Sequence, residues 1–383
     1  MMNRSLVFVL ILFSVLFLFA ACGNSKKADT ADFQDARTFD LSEIKEAELS
    51  LNKSFSIGSY GTVNDIGAVA ADDQGFVFVV NSYNKKIEVF DRTGDHIESL
   101  GGLGSDPGDY RNPVFMKVQG DHLFTFDNSL HRVYKYKLSD RELRSVTELD
   151  NAISQFGIDS LRSAKPVMLE VTADENYLVG FQVVRSTEDR RLIYYKIDEN
   201  GQILSNQLFS VSNRNLHVDR TVDPPLIMML PYEPEVLIRT DTQGRILKID
   251  TDHFLIILMD SKSEEIESRY YPFEKHDLIR SEVLEMYTDT FRRRAIRRAS
   301  LPDTWPALSH ILMDDQDRLW AASIVSDPDI YRWFIIAPSG QPLATFELSR
   351  KKKIEAIRGE TVYIKSFNAS RLSDEVKRYT LKF

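Results

Sequence analysis

The chain has 383 residues, 43% of them hydrophobic and 11% aromatic, enough to build a large folded core. Its formal charge is −9, and that acidic balance excludes nucleic-acid backbones as the main partner, since phosphate binding needs a basic footprint. A single cysteine, Cys22, excludes an intramolecular disulfide.

The N-terminus reads as an export segment. Arg4 is the only charge in residues 1–21, and an apolar run from Leu6 to Ala21 is interrupted only by Ser14. These sixteen residues are short for a membrane span and suit the hydrophobic region of a secretory signal. Phe19-Ala20-Ala21-Cys22-Gly23 follows, and it resembles the lipobox of bacterial lipoproteins, with Phe19 where leucine is usual. The resemblance implies a bilayer anchor through acylated Cys22, because several acyl chains hold a protein at a membrane where one does not. It also implies a cell-envelope location. Without an acidic residue directly after the cysteine, the outer membrane is the expected site, facing the periplasm or the surface. Residues 22–45 then form a flexible spacer, polar and poor in large apolar groups from Asn24 to Arg37.

Residues 46–383 read as repeated β-sheet units. Short β-branched and aromatic runs alternate with turns rich in Asp, Asn and Gly. The first turn of the unit is Asp72-Asp73-Gln74-Gly75, then Asp121-His122, Asp174-Glu175-Asn176, Asp241-Thr242-Gln243-Gly244, Asp315-Gln316-Asp317 and Arg358-Gly359-Glu360. A second turn follows in register, as at Asp91-Arg92-Thr93-Gly94 and Asp198-Glu199-Asn200-Gly201. Six units spaced roughly 45 to 75 residues apart predict an all-β, six-bladed β-propeller, with a two-sheet sandwich as the alternative. The last unit holds three strands and Lys53–Ile57 is one strand to spare, so this N-terminal strand is predicted to close the last blade. Lys275–Ser300 breaks the β pattern, with Leu278, Ile279, Val283, Met286, Tyr287 and Phe291 at helical spacing. It predicts one inserted helix between the fourth and fifth blades, lying over a face of the ring.

Residues 66–113 resemble a blade of NHL-repeat propellers: Val77-Phe78-Val79-Val80-Asn81-Ser82-Tyr83-Asn84-Lys85-Lys86-Ile87-Glu88-Val89-Phe90-Asp91, then Gly94, the glycine loop from Gly102 to Tyr110, and Asn112-Pro113. Leu301-Pro302-Asp303-Thr304-Trp305-Pro306, leading to Arg318-Leu319-Trp320, is similar to the fifth blade of six-bladed, TolB-like propeller lipoproteins. The resemblance implies the fold across nearly all of the mature chain. It leaves the activity open, because this superfold serves binding scaffolds, lyases and lactonases.

Candidate chemistry is sparse. Propeller lactonases of similar fold gather Glu, Asn and Asp on a divalent cation in the central channel, so the resemblance leaves a divalent cation in the central channel open here. No metal site or cofactor is read from the residues themselves: the Asp and Asn residues fall mostly in turns, which they make by bonding local backbone. No pair among the seven histidines has metal-ligand spacing. The glycines at 101, 102, 104 and 108 lead to Pro113 and a strand, unlike a phosphate loop. His310, in an inner strand, and Arg239, in another, are candidates to face the channel, with Arg111 beside the glycine loop. Arg292, Arg293, Arg294, Arg297 and Arg298 put five positive charges into seven residues at the helix end. They complement the helix dipole or form an anion site over the channel mouth, with Arg293, Arg294 and Arg297 as its candidates. The expected function is an envelope-anchored module that binds or scaffolds a protein or glycan. The alternative is a metal-dependent lyase or lactonase-like enzyme.

Overall fold

Each sheet starts with the same turn, and aspartate chemistry explains three of the six directly. Asp72 Oδ1 accepts the amides of Gln74 and Phe76, both at 2.9 Å. Asp241 Oδ1 does the same for Gln243 and Arg245, and Asp314 Oδ1 for Gln316 and Arg318. A left-handed residue then reverses the chain in every unit: Gly75, Gly120, Glu175, Gly244, Asp317 and Gly359 all have φ between 57° and 84°. The computed structural model describes residues 35–383 except 59–62, 64, 151–160, 162, 188, 215 and 222. The expected signal, Cys22 and most of the spacer lie outside the described residues.

The turns join six four-stranded antiparallel meanders. Blade 1 comprises Ile66–Ala71, Val77–Asn81, Lys86–Phe90 and His96–Leu100, and blade 2 Pro113–Gln119, His122–Asp127, Arg132–Lys137 and Leu143–Glu148. Blade 3 is Lys165–Val171, Tyr177–Val184, Arg190–Ile197 and Phe209–Ser212, and blade 4 Val236–Thr240, Ile246–Asp250, Leu255–Met259 and Glu265–Tyr270. Blade 5 is Leu308–Met313, Leu319–Ile324, Ile330–Ile336 and Pro342–Ser349. Blade 6 takes Lys352–Arg358, Thr361–Asn368 and Ser373–Lys382 from the C-terminus and Glu48–Ile57 from the N-terminus. Each neighbouring pair, the sixth and first included, buries its own apolar cluster. The molecule is a six-bladed propeller whose sheets bury each other's faces around a ring.

The closing strand is longer than the sequence suggested. It starts at Glu48, and its pairing runs from Lys382↔Glu48 to Arg378↔Asn52, then resumes at Lys377↔Ser56 and Val376↔Ile57. Residues 53–55 fall in the irregularity between, so most of the closure comes from Glu48–Asn52, where Leu49 and Leu51 alternate with polar residues.

The spacer boundary also needs correction, because residues 37–46 are docked on the propeller. Arg37–Thr38 pairs in parallel with the outer strand of blade 4, and Lys45–Glu46 with that of blade 5. Phe39 is 4% exposed and stacks on Tyr271 at 5.3 Å between ring centroids. The segment covers two sheet edges that would otherwise present unpaired backbone groups.

The predicted helix 275–300 is two short helices, α1 (Arg280–Glu285) and α2 (Thr290–Arg298). The break occurs because the Asp289 carboxylate accepts the amide of Arg292 at 2.7 Å and starts a fresh helix. Val283 is buried as the apolar stripe requires, but Ile279, Met286 and Phe291 are 50%, 55% and 61% exposed. The helices pack on a hairpin, Leu216–Asp219 with Leu226–Met229, inserted between blades 3 and 4. Met228, Tyr232, Val283, Ile296 and Trp305 form the core of this cap. No helix among the described residues is long and apolar enough to cross a membrane.

Candidate functional site in the central channel

The inner strands converge on a cavity of about 710 Å³, lined by residues from all six blades. Five of those strands carry a β-bulge at their pairing with the next strand, and only that of blade 4 runs without one. A bulge re-aims side chains locally. Val114, Val167 and Glu355, the extra residues of blades 2, 3 and 6, all line the cavity. Val69, Val118, Met168, Leu312 and Met313 make much of the remaining wall apolar.

Asp73, Asp241, Asp314, Asp315, Asp317 and Arg358 of the turns bring charge to the wall, and the inner strands add two further groups. On one side Glu170 sits between Lys117 and Arg239, with Oε2 at 3.6 Å from Lys117 Nζ and Oε1 at 3.3 Å from Arg239 Nη1. Lys117 also donates to the Val171 carbonyl at 3.0 Å and to Thr240 Oγ1 at 3.3 Å. Arg239 donates to the carbonyls of Ile238 at 2.7 Å and Ile311 at 3.2 Å. The group thus ties blades 2 to 5 together. Burial pushes the Lys117 ammonium below its ordinary range, Glu170 acts against that, and the positive Arg239 adds to it. From blade 6, three blades away around the ring, Glu355 meets Lys353 at 3.0 Å and Lys365 at 3.3 Å.

The predicted candidates separate in space. Arg239 lines the cavity. Arg111 is exposed, bonded through Nε to Ser105 Oγ at 2.9 Å, and is not part of the cavity wall. His310 is largely enclosed rather than on that wall, with Nδ1 2.6 Å from Ser309 Oγ and its ring 5.3 Å from that of Tyr331. Burial first, then the positive charges of Lys353 and Arg214, push its pKa down to about 4. Arg293 donates to the carbonyls of Leu284 at 2.7 Å and Tyr287 at 3.1 Å, so it satisfies the end of α1. Arg294 and Arg298 reach Thr221 of the hairpin. Arg297 is exposed and has no polar partner among the described residues. Most of the arginine cluster therefore holds the cap together, and none of it lines the channel.

A divalent cation in the channel would need carboxylates free to bind it, yet Glu170 and Glu355 each face two cationic side chains. Among the described residues, the group that could hold a metal is Asp121, His122 and Glu175, at the turns joining the first two strands of blades 2 and 3. Lys135 Nζ lies 2.8 Å from Glu175 and Lys137 contacts Asp121, so lysines already supply positive charge there. The channel turn aspartates are likewise engaged. Asp315 accepts the Gly359 amide, Asp317 the Thr242 amide, and Asp73 meets Arg358 at 2.8 Å.

This architecture agrees with a family model, DUF5128, described as a 6-bladed beta-propeller, which matches residues 21–272. The chain belongs to this family. No curated protein matches it. Among solved structures, a protein from Bacteroides fragilis NCTC 9343 described as exported aligns with a TM-score of 0.51 and 10% identity, covering 90% of this chain and 99% of its own. A DUF4221 family member from Bacteroides vulgatus gives 0.47 and 10%, with 89% and 99% covered. Regucalcin from Agrobacterium tumefaciens, a calcium-binding protein, gives 0.42 and 9%, with 91% and 98% covered. At such identities the likeness is one of fold.

Sequence reasoning missed Lys117, Glu170 and Glu355. Each is a charge within a short β run, as in Phe115-Met116-Lys117-Val118 and Leu169-Glu170-Val171. A charge repeated at that place in several family units is the signal that could have found them, since an isolated buried charge is costly unless paired.

Proposed function

We propose that this DUF5128 propeller is an envelope-anchored binding or scaffolding module, held at the outer membrane through acylated Cys22, with a protein or glycan as its ligand. The observation that carries the reading is the channel. A cavity of about 710 Å³, part apolar and part charged, open to side chains of every blade, is of the size and character of ligand sites. The paired state of Glu170 and Glu355 weighs against the alternative, a lyase or lactonase with a channel metal, whose ligands must be unencumbered carboxylates.

The test is cross-linking in intact envelopes followed by capture of the full chain and of Cys22→Ser. The expected result is a protein or glycan enriched with the wild type, and release of Cys22→Ser from the membrane fraction. Metal-restored cleavage of lactones or esters, with no partner enriched, would replace the binding reading by the enzymatic one.

A further inference from the structure

We propose that the hairpin of the cap is a second membrane contact, laying its open face on an anionic lipid surface. The inference rests on the acylated anchor at Cys22 and goes beyond it, because it assigns the orientation in which the anchored propeller stands.

Residues directly opposite each other in an antiparallel pair share a face. In the hairpin these pairs are Leu216↔Met229, His217↔Met228, Val218↔Ile227 and Asp219↔Leu226. Leu226 and Met228 pack into the cap with α1 and α2, so His217 and Asp219 lie on the covered face. The open face is left with Leu216, Val218, Ile227 and Met229, and none of the four joins the cap core. Ile227 and Met229 are 57% and 52% exposed. A sheet with one face in water ordinarily carries polar residues there, and this face carries none.

Cations border that face at the hairpin turn. Arg220 is exposed there, and Arg294 and Arg298 of α2 reach the neighbouring Thr221. Phe291, 61% exposed, shares their stripe of α2, because it stands three and seven positions before them. Residues 216–229 and 280–298 together hold seven arginines and five carboxylates, in a chain whose charge is −9. Apolar side chains bordered by arginine suit the headgroup level of an anionic bilayer.

The described chain also starts beside this cap. Ala36 packs on the apolar cluster between blades 3 and 4, which includes Val211, and Arg37–Thr38 pairs with Arg269 and Tyr270. Those two outer strands end at Ser212 and Tyr270, and the chain runs on from them into the hairpin and into α1. Cys22 precedes Ala36 by fourteen residues, a reach of at most about 50 Å. The anchor therefore holds the bilayer within reach of the cap. A contact too weak to form from solution forms once its partner is tethered.

The test places one fluorescent label on the native chain, reconstituted through its anchor into vesicles whose acyl chains carry nitroxide quenchers. Met229→Cys reports the open face, and Gln74→Cys, exposed in the first turn of blade 1, reports the far side of the ring. Cys22 is the chain's only cysteine, so once it is acylated the introduced thiol is the only one free. With phosphatidylglycerol present, the label at 229 is expected to be quenched at least about twofold more than that at 74. The difference should shrink in pure phosphatidylcholine or at raised salt. Ile227→Asp should remove it at an unchanged unfolding midpoint, and Ile227→Leu should keep it. Equal quenching of the two labels on vesicles that retain the chain overturns the proposal and leaves the anchor standing. Without lipid quenching, disulfide-linked dimers of Met229→Cys assign the face to a second copy, and shielding of 229 only in native envelopes assigns it to a protein; either result overturns the proposal. A wild-type chain that takes up label at Cys22 lacks the acyl anchor. Quenching at 229 would then leave the docking face standing alone, and its absence would sink both.

Discussion

Ile57 stands directly across from Val376 in blade 6, and the two are 1% and 0% exposed. One lies near the start of the described residues and the other near the C-terminus, so this pair belongs to the seam that closes the ring. Phe55, Ile57 and Val376 also pack on Ile66, Val69 and Val77 of blade 1, so the seam is part of the blade 6 to blade 1 interface as well.

Weakening the seam should therefore destabilise the whole propeller. Ile57→Ala is expected to cost about 2–4 kcal/mol in urea unfolding, from lost burial and the cavity left behind. Leu51→Ala, in the same strand but 41% exposed, should cost under about 1 kcal/mol. Equal losses at the two positions would contradict the seam's role.

Asp314 concentrates more bonding than its turn requires. Besides the two amides on Oδ1, its Oδ2 accepts from Arg318 Nε at 2.6 Å and Trp320 Nε1 at 2.8 Å. Asp314→Ala would leave Arg318 without its carboxylate in a buried setting, and a loss of about 3–5 kcal/mol is expected. Asp91→Ala, which removes only the exposed bonds to Thr93 and Asp95, should cost about 1–2 kcal/mol. Chemical denaturation of both variants compares them directly.

His310 gives the fold a pH dependence. Its pKa is about 4 when folded against 6.5 as the ordinary value, so between these limits the unfolded chain holds a proton that the folded one lacks. Stability therefore falls as pH drops from about 6.5 to about 4, by on the order of 3 kcal/mol, and this contribution is flat outside that window. His310→Leu should flatten that part of the curve of unfolding free energy against pH. An unchanged slope in the variant would show that other groups set it.

The arginines of α2 should divide by contact. Arg293→Ala frees the carbonyls of Leu284 and Tyr287, and faster amide exchange is expected across residues 280–287. Arg297→Ala, at a residue with no polar partner among the described residues, should leave exchange unchanged throughout the cap. Similar acceleration in both would mean that cap stability depends on net charge and not on these bonds.

The repeating turns made the fold legible. Asp72 and Asp241 have their roles fixed within four residues of chain, so local chemistry declares them, and the same holds for left-handed Gly75, Gly244 and Gly359; in blade 5 that role falls to Asp314, one residue before the turn read from the sequence. The missing strand of the last blade was legible by counting, since a four-stranded unit with three strands needs a fourth. The end of the spacer was not, because Arg37–Thr38 and Lys45–Glu46 become strands only by pairing with edges more than two hundred residues away. The helical break at Asp289 was hidden by an apolar spacing that ran across it.

Sequence by itself determined the sheet repeat, the blade number and the means of closure, because turn chemistry and strand alternation act over a few residues. Tertiary structure alone decided where the charges meet. Lys117, Glu170 and Arg239 are 53 and 69 positions apart along the chain, and no local rule brings them together. Ring geometry does, by pointing the inner strand of every blade at one axis, where charges from blades far apart in sequence come within reach of one another.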